Sequence, residues 1–267
     1  MKKILLVIDF SPATKQTMEF ALKFAEKMKT NLMVLNVIDF MEKMVGLRSV
    51  NKIIQDDATE RLDSFLAPYK KSTSVKILSK IAKGDAYTVI SRQAEVNNVE
   101  LIILGAEGED SEERYFLGRV AGSVIKFTHL PVIAIPNNYI PRDITNIVFM
   151  YRNLHKSIFE VINPLLEVSS TYNAKIHSVH LTGKHSGSVA YSPELIFENY
   201  DFDHSELTND SFTEGIKTLI KNAGEPDLIC VLKRKRGMLE YIFESSPTSK
   251  EIIDSPVPVL FLNDDES

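Results

Sequence analysis

Four apolar runs in the first half of this chain return in the same order in the second half, and that repeat constrains the fold more than any other feature. KILLVI at Lys3 to Ile8 is matched by ITNIVFMY ending at Tyr151. NLMVLNVI at Asn31 to Ile38 is matched by AKIHSVHL, VELIIL by PDLICVL, and HLPVIAIP by SPVPVLFL. An ordered recurrence at an offset of about 130 residues is the mark of a duplicated unit. Within each unit the runs are continuous rather than alternating, as expected of parallel strands covered on both faces.

Helical patterns separate the strands of the first unit. Ser11 is placed to cap a helix with Pro12 at its first position, where a missing N–H costs nothing. Met18, Ala21, Leu22, Ala25 and Met28 then recur at helical spacing. Ser49 to Lys71 predicts a long helix that turns Ile53, Ile54, Ala58, Leu62, Phe65 and Leu66 inward. VKILSKI, Val75 to Ile81, alternates as an edge strand does, and KGDAYTVISRQAEVNN predicts a turn at Gly84 followed by a short helix. A further helix is expected from about Gly118 to Thr128, and Pro131 opens the last strand.

The pattern predicts an α/β fold of two tandem open five-stranded, mostly parallel sheets flanked by helices. The units are expected at residues 1–138 and 143–264, joined by the turn-rich PNNYIPRD. The second unit reads as degenerate. Pro164 should kink or end its first helix, and GKHSGSVAYSPELIFENYDFDHSEL predicts one short helix and a strand where the first unit has its long helix.

Composition excludes several function classes. The 267 residues are 44% hydrophobic and 25% charged with a formal net charge of −5, which argues against a general nucleic-acid binder because phosphate-backbone affinity needs clustered Lys and Arg. Cys230 is the single cysteine and lies in the apolar run LICVL, so it reads as an inert thiol in a reducing compartment. MKKILLVIDFSP lacks the cleavage site of a secretory leader, and no run reaches the roughly 18 apolar residues of a membrane span. A cytoplasmic protein with no membrane partner is expected. No Walker loop, G-x-S-x-G elbow or H-E-x-x-H occurs, so an enzyme is disfavoured.

One loop carries candidate chemistry. LGAEGEDSEERYFLGRVAGS places Gly105, Gly108 and Gly118 as a phosphate-holding loop after a strand would, yet sets Glu107, Glu109, Asp110, Glu112 and Glu113 among them. Glycines admit backbone N–H groups to an anion, and a helix starting near Gly118 adds its positive end. With VIDFS, LNVID, KGDA, GAEG, LGR and HLPVIAIP in place, nearly the whole chain resembles a tandem universal stress protein. That family has an adenine nucleotide alpha hydrolase-like fold, and its nucleotide-binding members carry Gly-x2-Gly-x9-Gly-Ser/Thr. Both intervals are kept here, with Arg119 replacing the hydroxyl residue. The resemblance implies ATP or AMP as ligand, with adenine along Val37 and Ile38, Asp9 near the ribose, and Gly105, Gly108, Gly118 and Arg119 around the phosphates. It also implies that the last strands meet edge to edge as an intrachain pseudo-dimer, burying Val132, Ile133, Val259 and Leu260, and leaves further homodimerisation open.

The loop's electrostatics cut both ways. Arg114 and Arg119 favour a phosphate, whereas a like-charge pair at about 4 Å near a protein surface costs roughly 4 kcal/mol, more than a helix end supplies. Magnesium bound between phosphate and carboxylates would reverse that sign. Three readings therefore stand: a solvated acidic lid over an empty site, which as a ligand-free scaffold would dock an unknown protein partner; a nucleotide site; and a site for a metal-dependent or different ligand. In the second unit Leu232 and Lys235 fall at the Gly105 and Gly108 positions, Ser245 and Ser246 at those of Gly118 and Arg119, and Arg152 near that of Asp9. The same cradle is not expected there. KRKRG at Lys233 to Gly237 reads as a solvated loop, with attraction of an anion or pairing with the acidic loop of the first unit as the alternatives. His177 and His180 stand three apart on a strand, so they face opposite sides and cannot form a close metal pair.

Overall fold

In the computed structural model of the chain, the described residues are 1–38, 48–106, 117–152, 154, 158–182, 191–208, 218, 225–234 and 255–264. Each apolar run becomes a strand. In the first unit these are β1 Lys3–Ile8, β2 Asn31–Ile38, β3 Ile77–Lys83, β4 Leu101–Gly105 and β5 Val132–Ile135. The second unit supplies β6 Asn146–Tyr151, β7 Lys175–Thr182, β8 Phe202–Thr208, β9 Leu228–Arg234 and β10 Val259–Asp264. Ile4, Leu5 and Leu6 of β1 and Ile102 and Ile103 of β4 are fully buried, which is why these strands read as unbroken apolar runs.

The strands form one ten-stranded sheet in the order β3-β2-β1-β4-β5-β10-β9-β6-β7-β8. Within each half every pairing is parallel. Read from its outer edge inward, the second half (8-7-6-9-10) repeats the strand order of the first (3-2-1-4-5). The two five-stranded sheets fuse where β10 runs antiparallel to β5, with Val259 opposite Ala134, Leu260 opposite Ile133 and Phe261 opposite Val132. Val132, Ile133 and Leu260 are fully buried there and Val259 nearly so. Asn263 ties the seam further by donating from Nδ2 to the Leu130 carbonyl at 2.8 Å. Pairing β5 with β10 removes two exposed sheet edges.

Helices α1 Thr14–Lys27, α2 Arg48–Ser72, α3 Ala86–Val96 and α4 Arg119–Phe127 belong to the first half. In the second half Pro164 stands at the start of α6 Asn163–Tyr172 and separates it from the single-turn α5 Ile158–Val161. The polar middle of that half holds α7 Pro193–Ile196 and β8. Strand β8 takes the place β3 has in the first half, so strand order is retained where the sequence is most altered.

Three sequence expectations are corrected. Ser11 does not cap α1 with its side chain: the Asp9 carboxylate accepts from the Ser11 N–H at 2.9 Å and from Thr14 Oγ1 at 3.2 Å, and Ser11 offers only its carbonyl, to the Thr14 N–H at 3.0 Å. An ionised acid two residues upstream is the stronger acceptor. Ile53 is 67% exposed because α2 reaches the sheet only towards its C-terminal part, where Leu62 and Leu66 are buried. Strand β3 begins at Ile77 rather than Val75.

Candidate functional site

The carboxyl ends of β2, β1 and β4 lie side by side, and the connections leaving β1 and β4 diverge there, which is the topological switch point of an open α/β sheet. Gly105 ends β4 in register with Ile135, and the next N–H, of Ala106, donates to the Ile135 carbonyl at 2.8 Å. Gly108, the five carboxylates and Arg114 lie outside the described residues. The chain returns at Leu117, and the Gly118 N–H donates to the Ala106 carbonyl at 2.7 Å. That bond closes the base of the loop and sets the start of α4 beside the end of β4. Gly118 caps α4 with φ −64° and ψ 168°, a conformation open to any residue. The first-turn N–H groups of α4 therefore point out at the switch point and concentrate the helix's positive end there.

Asp9 leaves β1 on the same side. One of its carboxylate oxygens is committed to Ser11 and Thr14. Phe10 follows with φ 61°, a left-handed conformation uncommon for a bulky residue. Its ring is held by the Arg61 guanidinium at 4.2 Å and by Phe65 edge-on at 5.9 Å, with Tyr69 beyond. Arg61, Phe65 and Tyr69 share one face of α2 at helical spacing. Periodicity could have found that cluster; nothing in the sequence marks Phe10 as its anchor.

Val37 and Ile38 end β2, half-buried. Just before them Asn36, buried, donates from Nδ2 to the Ile8 carbonyl at 2.9 Å and so fixes β1 against β2 at the crevice. The Ile38 carbonyl accepts from the Gly84 N–H at 3.1 Å. Gly84 has φ 135°, and a Cβ there would meet Val89 Cγ2 at 3.1 Å, so glycine is required for this turn. Asp85 then caps α3, accepting from the Thr88 N–H at 2.9 Å and the Thr88 hydroxyl at 2.7 Å. These two bonds hold its carboxyl below the usual range, helped by the positive charge of Arg119. The exposed Arg119 thus sets its field across the starts of both α3 and α4.

Residues 1–136 match the Universal stress protein family. The chain belongs to that family. The match covers the first half, and two curated relatives each match about half of the chain. Universal stress protein MJ0531 of Methanocaldococcus jannaschii is 26% identical over 140 residues, half of this chain and 81% of that protein. Universal stress protein MJ0577 of the same organism is 29% identical over 156 residues, half of this chain and 94% of that protein. The fold extends further than the sequence match. The crystal structure of a universal stress protein from Archaeoglobus fulgidus superposes with a TM-score of 0.76 at 18% identity, covering 98% of this chain and 96% of the other. Both halves of this universal stress protein therefore carry the α/β architecture, while the family's sequence signature stands in the first.

In the second half Leu232 is buried within β9. Lys235, Ser245, Ser246 and most of the 233–237 basic run lie outside the described residues. Arg152 presents its carbonyl to His180, whose Nε2–H donates at 3.1 Å. His177 turns to the opposite face, towards Asp203 and Ser205. Among the described residues no group of His, Cys, Asp and Glu could hold a metal, and no helix is long and apolar enough to cross a membrane. Cys230 is fully buried, which pushes its thiol well above the usual range.

Proposed function

We propose that this is a cytoplasmic stress-response regulator whose first half binds ATP or AMP at the carboxyl ends of β1, β2 and β4 without efficient turnover. Val37 and Ile38 line the adenine, Asp9 faces the ribose through its second carboxylate oxygen, and Gly105, Gly108, Gly118 and Arg119 surround the phosphates. Magnesium accompanies ATP and reconciles the phosphates with the acidic 107–113 loop. The β5–β10 seam is the intrachain counterpart of a dimer interface, through Val132, Ile133, Val259 and Leu260, and the bound state is reported to a protein partner.

One observation carries this reading. The bond between Gly118 and Ala106 brings the start of α4 against the end of β4 at the switch point, where a helix terminus and bare glycine backbone suit an anion. A second reading, a ligand-free scaffold, draws on the same region: Asp9 is partly satisfied by the protein itself, and Phe10 and Arg61 pack beside it.

Titration calorimetry with ATP and AMP, with and without magnesium, separates the two. The nucleotide reading expects saturable binding that Gly118→Val abolishes; since φ −64° suits valine, that variant tests access rather than backbone strain. No heat and no thermal shift at millimolar nucleotide leaves the scaffold reading.

A further inference from the structure

The face of the outer β7–β8 pair opposite His180 carries a constellation outside the nucleotide crevice. His177 on β7 stands directly across from Asp203 on β8, and Ser205 is the next β8 residue on that face. His177 Nδ1 bonds Asp203 Oδ1, and Ser205 Oγ lies 3.2 Å from His177 Nε2. The second Asp203 oxygen is held by Lys175 Nζ at 2.8 Å, so the carboxylate is fixed from both sides. One tautomer satisfies every contact: Nδ1–H donates to Asp203 and Nε2 accepts from the Ser205 hydroxyl. None of the three is fully buried, so a small molecule can reach them.

We propose that Ser205, His177 and Asp203 form a nucleophile–base–orienter triad that accepts an acyl group from a small activated ester. Partial burial, then the charges of Lys175 and His204, lower the imidazole's proton affinity and keep it in its basic form. In the step, Ser205 Oγ bonds the ester carbonyl carbon as its proton passes to His177 Nε2. The carbonyl electron pair moves to oxygen and returns as the alcohol departs, taking the proton from His177. The products are an acyl-Ser205 ester and a free alcohol, and water attacking by the same path restores the serine. Lys175 is committed to Asp203, and no donor for the developing oxyanion is assigned among the described residues. Both steps pass through an oxyanion, but the activated ester carries a better leaving group than the acyl-Ser205 ester does, so acylation outruns deacylation and the acyl-enzyme is the species to detect.

Two polar strands in parallel register could form these bonds for structure alone, so the test reads activation rather than stability. The full chain is treated with a fluorophosphonate probe, and separately with p-nitrophenyl acetate, and the adduct is mapped by peptide mass spectrometry. The proposal expects one predominant adduct, on Ser205, absent in Ser205→Ala. His177→Gln should slow labelling by about a hundredfold, as loss of a general base does, with Asp203→Asn intermediate. Wild-type protein unfolded in urea should label no faster than His177→Gln, which keeps the test decisive even if a variant folds poorly. An unmodified Ser205 peptide overturns the triad, as does equal labelling of native and unfolded protein.

Discussion

The crevices of the two halves are built on the same strand order and differ in what fills them. In the first half Ile8 ends β1 opposite Asn36 of β2, and Gly105 ends β4; in the second, Tyr151 ends β6 opposite His180 of β7, and Leu232 of β9 stands where Gly105 does. The polar tie is retained. Asn36 donates to the Ile8 carbonyl at 2.9 Å, and His180 donates to the Arg152 carbonyl at 3.1 Å. Volume is where they part. The His180 ring stacks on Tyr151 at 5.2 Å, Tyr151 on Phe149 at 5.4 Å, and Phe197 meets Phe149 edge-on at 5.9 Å. Burial within this pile pushes the Tyr151 phenol up to about 12. The strand order is thus shared, while Tyr151, His180 and Leu232 carry larger side chains than Ile8, Asn36 and Gly105 at the corresponding positions.

The strongest way to break this comparison is to give the second crevice the first one's glycine. Leu232 is 4% exposed, so Leu232→Gly should cost about 3–5 kcal/mol, a deleted core side chain plus a freer unfolded backbone. Urea denaturation measures it, and a loss below about 1 kcal/mol would mean that the second crevice is not packed. A smaller effect sharpens the other side. Gly84→Val forces a branched residue into φ 135° against Val89, at a cost of about 1–3 kcal/mol. Because Gly84 also holds Ile38, the variant should weaken any nucleotide bound along β2. Smaller again is Asp85→Ala, which removes the cap of α3 and should cost about 1 kcal/mol. Since the folded carboxyl lies below its ordinary 3.8, that stability is present above this value and lost as pH falls through the lower folded one. The gap between variant and wild type should therefore narrow as pH falls below 3.8.

Much of the scaffold was legible because continuous apolar runs have one economical use, as parallel strands buried on both faces. The repeat then announced that this sheet occurs twice. Ile53 misled because periodicity reports which residues share a helix face, not how far along the helix the sheet extends. Ser11 misled because a hydroxyl before a proline is a good cap only when no carboxylate competes, and Asp9 does. At the candidate site, glycine spacing located Gly105 and Gly118, while the Phe10–Arg61 stack depends on a left-handed backbone that no residue in IDFSP demands. Contacts of Asp203 and Ser205 with His177 were equally hidden, since they require the register of β7 against β8, which emerges only from pairing.

Acid response should also divide the halves, by the smallest of these effects. His177 occupies the β7 position that Met33 occupies on β2, three residues before His180 and Asn36 respectively. Partial burial foremost, then Lys175 and His204, hold the His177 pKa below its ordinary 6.5; the Asp203 carboxylate, shared with Lys175, does not offset them. A depressed pKa means that the unfolded chain binds the proton more readily. This contribution to stability is therefore complete above 6.5 and declines as pH falls from there through the folded value. Met33 cannot contribute such a term. Urea midpoints compared between about pH 7.5 and pH 5.5 should fall less in His177→Gln than in the wild type. An equal fall would place the near-neutral acid sensitivity outside the β7–β8 edge and remove this distinction between the halves.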